Sequence, residues 1–311
     1  MSPPIVYSNS SYEYMRSNLC ALGDFTCGRL ERQCFPDGER LLRILDDVRG
    51  QDVVVIGGTI DDMATLEVFD LACGLVGLGV NTLSLVIPYF GHSTQERASK
   101  PGEVVTAKTR AILISAIPSA RLTNEVVLFD LHTPGIAHYF EGHIRSLSLS
   151  ALPLELQIVR NLASRESVTV ATTDAGRAKW VAGLANEAGV PAAFVYKARV
   201  SGAKTVVTGI NADVKGRHVI IYDDMIRTGS SLIEAGRAYK QAGATRITAM
   251  ATHGVLPGDS LQQIMATGLF EALYCTDSHP RAVALAAQFP GFLRLQPLTS
   301  ILADFFTARS G

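Results

Sequence analysis

The sequence predicts an α/β protein built from two similar units, each a mainly parallel sheet flanked by helices. Three observations predict it. Short runs of β-branched residues alternate with segments whose apolar residues recur at helical spacing, the pattern of strand–helix–strand units. One such stretch recurs, in altered form, in the second half of the chain. The 311 residues, 47% hydrophobic and 18% charged, suffice for two separate cores.

Taken in order, VVVIGG (Val53 to Gly58) is a buried strand by composition. MATLEVFDLACGLVGLG follows as a helix and NTLSLVIPYF as the next strand. EVVLFDLH, SVTVATTD, AAFVYK, HVIIYDD and RITAMATH read as further strands, each followed by a helical or turn segment, with right-handed crossovers. Strand-like patterning lapses around SLSLSALPLE, Ser146 to Glu155. That lapse sets the expected division: an N-terminal unit over 1–148 and a C-terminal unit over 149–311, with about the last 20 residues packing back on the first unit.

The recurrence sets VVVIGGTIDD, a helix and GLGVNTLSLVIPYFG beside HVIIYDDMIRTGSS, a helix and QAGATRITAMATHG. Placing Gly79 on Gly243 without gaps puts Ile56 on Ile220 and Thr59 on Asp223. The second copy then has Asp223, Asp224 and the turn Thr228-Gly229-Ser230-Ser231 where the first has Thr59, Ile60 and Ala64-Thr65-Leu66-Glu67. Two adjacent acids at the end of a buried strand are costly unless something polar or cationic meets them. A turn of small residues opening a helix lets several N–H groups converge on an anion. A Ser/Thr cap on an ordinary helix accounts for Ser230 or Ser231 but not for the acids before them. Loops at the carboxyl ends of parallel strands are where ligands bind. One unit is therefore expected to bind an anion and the other to do something else.

Other partners are excluded by composition. The net charge is −1 and the 28 Lys and Arg form no run beyond isolated pairs, which speaks against nucleic acid and membrane surfaces. Apolar stretches such as LACGLVGLGV are too short and too glycine-broken to cross a bilayer. Five cysteines form no CxxC pair, against a structural zinc. Their odd number, with no apolar leader after MSPPIVYSNSS, points to a reducing cytoplasm.

The string of apolar residues, then DD, then TG and two small residues resembles the ribose-5-phosphate loop of type I phosphoribosyltransferase folds. FPDGER (Phe35 to Arg40), IPYFGHSTQERASKPGEVVTAK (Ile87 to Lys108), FDLHTPGIAHYF (Phe129 to Phe140), TTDAGRAKW (Thr172 to Trp180), YDDMIRTGSS and ATHGVL (Ala251 to Leu256) occur in the order found in ribose-phosphate pyrophosphokinases. With these segments the chain resembles that family almost from end to end. The resemblance implies two phosphoribosyltransferase-like units and transfer of the diphosphoryl group of ATP to the 1-hydroxyl of ribose 5-phosphate. It implies a sugar-phosphate site at Asp223, Asp224, Thr228, Gly229, Ser230 and Ser231. It also implies a magnesium ion (Mg2+) at His132 and Asp174, although DLH at a strand end by itself also fits a hydrogen-bonded loop histidine.

Phe35 would stack on adenine with Asp37 and Glu39 as acceptors; read alone, Pro-Asp-Gly is also a plain turn. In the family this loop serves a neighbouring subunit, so a homodimer or hexamer is implied. Gln95 and Arg97 match nucleotide-facing positions. Lys197 and Arg199, in YKARVSGAK, match catalytic cations on a mobile flap, where a solvated surface pair is the other reading.

The chain departs from the family at four places. Thr94 stands for a usual Arg, Ala98 for a Lys, Arg177 for a Gly and Arg227 for an acid or small residue. Arg177 is the expected compensating cation toward ATP and Arg227 an expected sugar-phosphate contact. Two other functions compete with synthesis: a catalytically impaired regulatory paralogue, and a phosphoribosyltransferase that consumes the product.

Overall fold

The computed structural model describes residues 3–201 and 204–310, with backbone alone for 196–201, 204–208, 210 and 310. The chain divides into two compact units, the first running to Leu149 and including the chain from Leu298 onward, the second spanning Ser150–Pro297.

In the first unit β1 (Ile5–Ser8), α1 (Glu13–Cys20), β2 (Thr26–Cys27), β3 (Leu30–Cys34), β4 (Arg40–Ile44), β5 (Asp52–Ile56), α2 (Asp62–Gly77), β6 (Thr82–Ile87), α3 (Thr106–Ser115), β7 (Thr123–Phe129) and β8 (Ile144–Leu149) follow in order. The second unit has α4 (Leu152–Ala163), β9 (Val168–Thr172), α5 (Ala178–Ala188), β10 (Ala192–Ala193), β11 (Val195–Ser201), β12 (Lys204–Ile210), β13 (His218–Ile226), α6 (Ser230–Gln241), β14 (Arg246–Gly254), α7 (Ser260–Ala266), β15 (Leu273–Thr276), α8 (Pro280–Gln288) and β16 (Leu293–Gln296). The C-terminal helix α9 (Thr299–Ser310) belongs to the first unit and touches α1.

The two sheets have one topology. Their orders are β2-β1-β5-β6-β7-β8 and β10-β9-β13-β14-β15-β16, and the strands of each are parallel. Each unit also carries one antiparallel ribbon, β3–β4 or β11–β12, inserted between its edge strand and its third strand in sequence. The resemblance of the halves thus extends to a hairpin that the sequence comparison did not include.

Parallel strands need cover on both faces, and β13 shows how the second unit gets it. Val219 and Ile221 pack with Leu232, Ala235 and Tyr239 of α6 on one side. Ile220 and Tyr222 pack with Leu156 and Val159 of α4 and Val181 and Leu184 of α5 on the other. In the first unit Val53 and Val55 meet Val68, Leu71 and Leu75 of α2, with Ala111 and Ile114 of α3 in the same core.

Three expectations change. The segment from Ser146 to Leu149, read as the end of strand patterning, lies in β8: its alternating Ser and Leu suit an edge strand that is half-buried at most over these residues. AAFVYK is not one strand but the two-residue β10 followed by the start of β11. The cysteines are not all thiols, since Cys20 at the end of α1 and Cys27 on β2 are joined as a disulfide with Cα atoms 5.7 Å apart.

Candidate active site

The acids sit where one neighbour of β13 stops and the other continues. β13 pairs with β9 only as far as Tyr222 opposite Thr172, but with β14 as far as Ile226 opposite Gly254. Asp223 and Asp224 therefore extend past the end of β9. The Thr173 hydroxyl donates to Asp223 Oδ2 at 2.8 Å, and the Asp224 N–H donates to Asp223 Oδ1 at 3.0 Å. Burial first, then the hydrogen bond and charge of Asp224, push the Asp223 carboxyl up to about 7, with Asp174 adding to the rise and Thr173 opposing it.

Asp224 is buried, and Arg177 grips it with both branches of its guanidinium, Nε to Oδ1 at 3.1 Å and Nη2 to Oδ2 at 2.7 Å. Arg177, expected from the sequence to face ATP, here has Asp224 as its partner. The residue ends a one-turn 3-10 helix, Ala175–Arg177, that Asp174 caps through a 2.8 Å bond from the Gly176 N–H. The turn delivers the side chain to β13 inside the second unit.

The small-residue turn opens α6, and no described side chain caps that helix. Gly229 is its N-cap at φ 79, and a Cβ there would lie 2.6 Å from Ile264 Cδ1, so only glycine fits. Thr228 Oγ1 and Ser230 Oγ are 3.2 Å apart. The carbonyl of Ile226 accepts from the N–H groups of Val255 and Leu256, tying the ATHGVL segment to the base of the turn. Arg227 is exposed beside it. The result is a helix N-terminus with hydroxyls around it and two acids behind it, able to take an anion and a polyol together.

The first unit closes the corresponding place. Asp52 pairs with Thr82, thirty residues on, whereas His218 pairs with Arg246, twenty-eight on. The gapless match of the two copies is therefore two residues out along this strand. Structurally Ile56 lies on Tyr222, and Gly57 and Gly58, rather than Thr59 and Ile60, take the places of Asp223 and Asp224. A shift of two leaves the same residues facing the core, which is why patterning did not reveal it. A Cβ at Gly57 would run into Val68 Cγ2, and one at Gly58 into the Tyr12 hydroxyl. Asp61 caps α2 through the Ala64 N–H at 2.7 Å, so that helix end already has its anion.

The remaining sequence-derived residues lie on loops and on the ribbons. Phe35, Asp37 and Glu39 are exposed at the tip of β3–β4, where the Phe35 N–H donates to the Glu39 carbonyl at 2.8 Å and Asp37 Oδ1 accepts from the Glu39 N–H at 3.1 Å. Asp37 thus serves the plain turn with one oxygen. Gln95 and Arg97 are exposed in the loop after β6, as are Thr94 and Ala98. His132 is half-buried just after β7. Lys197 and Arg199 fall on β11, and their side chains lie outside the described residues. Among the described residues His92, Asp130 and Leu256 are the non-glycines at positive φ, at 60°, 34° and 44°. Each follows the carboxyl end of a strand, where functional strain collects.

Sequence reasoning missed Thr173, whose hydroxyl holds Asp223, and Glu67, a buried acid of α2. Adjacency to Asp174 signalled the first; an acid set among the apolar positions of α2 signalled the second.

An open α/β unit with a glycine-led, side-chain-free helix start beside paired strand-end acids has the features of the phosphoribosyltransferase class. A family model for the N-terminal domain of ribose phosphate pyrophosphokinase matches residues 5–117, and one for the phosphoribosyl transferase domain matches residues 153–271. The chain is 30% identical to a ribose-phosphate pyrophosphokinase from Chlorobaculum tepidum over 275 residues, covering 88% of this chain and 83% of that one. It is 31% identical to one from Hyphomonas neptunium over 294 residues, covering 91% and 90%. The fold matches a crystal structure of phosphoribosylpyrophosphate synthetase from Mycobacterium smegmatis with a TM-score of 0.85 at 23% identity, over 99% of this chain and 100% of that one. The chain belongs to the ribose-phosphate pyrophosphokinase family.

Proposed function

We propose that the protein transfers the diphosphoryl group of ATP to the 1-hydroxyl of ribose 5-phosphate, giving phosphoribosyl diphosphate and AMP for nucleotide synthesis. The observation that carries this reading is the start of α6, left without a side-chain cap beside Asp223 and Asp224, in a chain matched by the family across both units. The 5-phosphate takes the N–H groups and hydroxyls of Thr228 to Ser231, with Arg227 alongside. Asp223 and Asp224 receive the ribose hydroxyls. The 1-hydroxyl oxygen attacks the β-phosphorus and loses its proton; the bond from the β-phosphorus to the α–β bridging oxygen breaks, and AMP leaves with those electrons. Such a step needs alignment and neutralisation of spreading charge more than covalent help. Lys197 and Arg199 on the β11–β12 ribbon are the cations assigned to that neutralisation.

Mg2+ belongs to the proposal, and the donor set fits it. Asp224 and Asp174 add their charge to burial in raising Asp223, and a cation bound beside them would offset that charge. Among the described residues no three His, Cys, Asp or Glu side chains already converge on a metal position. Magnesium takes few carboxylates and completes its shell with water and substrate phosphate. Asp174 is the proposed ligand, with His132 the other residue that the family resemblance implies; the ion, when bound, would offset charge on the phosphates.

Phe35, Asp37, Glu39, Gln95 and Arg97 are the proposed ATP contacts, the hairpin tip serving a neighbouring chain in a dimer or hexamer. Arg177 serves the sugar side through Asp224. A cytoplasmic location goes with this chemistry; among the described residues no helix is long and apolar enough to cross a membrane. The test is product analysis with ATP, ribose 5-phosphate and Mg2+: AMP and phosphoribosyl diphosphate should appear in equal amounts. ADP as the product, or no nucleotide turnover, would rule the reading out.

A further inference from the structure

The first unit's counterpart of the sugar-phosphate site is filled by the chain itself, and what fills it reaches a different part of the molecule. Ser8 lies opposite Ile56 as Thr172 lies opposite Tyr222, so Asn9 and Ser10 take the places of Thr173 and Asp174. Gly79 and Gly243, at φ 86 and 96, follow the ends of α2 and α6; counted back from them, Glu67 falls on Ser231 in the anion turn. Glu67 is 4% exposed. Its carboxylate accepts from the Ser10 N–H at 2.9 Å, the Ser10 hydroxyl at 2.7 Å and Arg32 Nε at 2.9 Å, and Arg40 Nη1 stands 3.9 Å away. Glu67 thus ties α2 to the turn after β1 and to the ribbon.

The cations it gathers come from the ribbon. Arg32 is on β3 and Arg40 on β4, the two strands whose connecting tip holds Phe35, Asp37 and Glu39. Both strands are half-buried at most, and Leu30, Leu42 and Ile44 supply their contacts with the core. Arg32 adds bonds to the Ser8 carbonyl and Glu13, both at 2.6 Å. A buried carboxylate reaching two arginines from a thinly packed hairpin adds directional charged contacts to the few apolar ones that hold it.

We propose that Glu67 is a positioning residue for ATP: from the closed counterpart of the sugar-phosphate site it mounts the β3–β4 hairpin, through Arg32 and Arg40, so that the tip meets the nucleotide. The role of the tip rests on the function proposed above; the mount itself does not.

The experiment compares wild type with Glu67→Gln, which keeps the volume and removes the charge, and with Arg32→Lys, which keeps the charge and loses the fork. AMP formation gives KM for each substrate, and hydrogen exchange of residues 30–44 without substrate reads the mount directly. The expected result is a KM for ATP raised about tenfold, a KM for ribose 5-phosphate within about twofold, and faster exchange across the hairpin in both variants. Equal shifts in both KM values would assign Glu67 to general stability, and unchanged exchange with unchanged KM values would remove the proposal. If wild type makes no AMP, the function reading fails; hairpin exchange then still decides the mount, faster exchange upholding it and unchanged exchange overturning it.

Discussion

At the scale of single residues the second unit concentrates its cost in a few side chains. Asp223 at about 7 lies above an unfolded aspartate, so the folded chain keeps a proton that the unfolded chain has released between about pH 4 and 7. Stability therefore falls as pH rises through that window. Denaturant unfolding in a chelator at both ends of it should show that fall in wild type, and Asp223→Asn should flatten it; an equal fall in the variant would mean another group titrates. Arg177→Gly leaves Asp224 buried without its bidentate partner, and about 3 kcal/mol of stability should be lost. The same variant should raise KM for ribose 5-phosphate more than KM for ATP, and the opposite order in steady-state kinetics would return Arg177 to the nucleotide. Gly229→Ala combines a positive φ with a clash on Ile264, so weaker ribose 5-phosphate binding by calorimetry should accompany a lower Tm.

At the scale of elements the two helices α2 and α6 differ in how their N-termini are satisfied. Asp61 serves α2, and Asp61→Ala should cost about 1 kcal/mol in unfolding while leaving KM for ribose 5-phosphate untouched. A change in that KM would mean the first unit touches the sugar phosphate after all. The acids and the glycine turn of α6 were legible in the sequence because polar residues at a buried strand's end are conspicuous. Arg177 was legible as a cation near the site but not as the partner of Asp224, since the turn capped by Asp174 decides where it points. Glu67 escaped because its partners Ser10 and Arg32 lie 57 and 35 residues away in sequence. The two-residue offset between β5 and β13 escaped because an even shift preserves alternation. Strand β8 escaped because its serines dilute the apolar signal.

At the scale of the whole molecule, one topology is used twice, and the proposals assign a ligand site to the second unit and a mount to the first. The fold class could be read from strand–helix alternation alone, whereas the division of labour needed the register. The C-terminal helix belongs to the first unit, where Arg309 meets buried Glu125 through both guanidinium branches, at 2.7 and 2.6 Å. Much of Arg309 is in water, so Arg309→Ala should lower stability by only about 1–2 kcal/mol, chiefly through the Glu125 charge left behind; a Tm equal to that of wild type would show the helix holds without it. The central claim is that the sugar phosphate binds the second unit and is shut out of the first. A crystal structure of the protein with ribose 5-phosphate tests it most directly. The account predicts the phosphate on the N–H groups of Thr228 to Ser231 with the ribose hydroxyls on Asp223 and Asp224, and a phosphate seated at the start of α2 instead would contradict it.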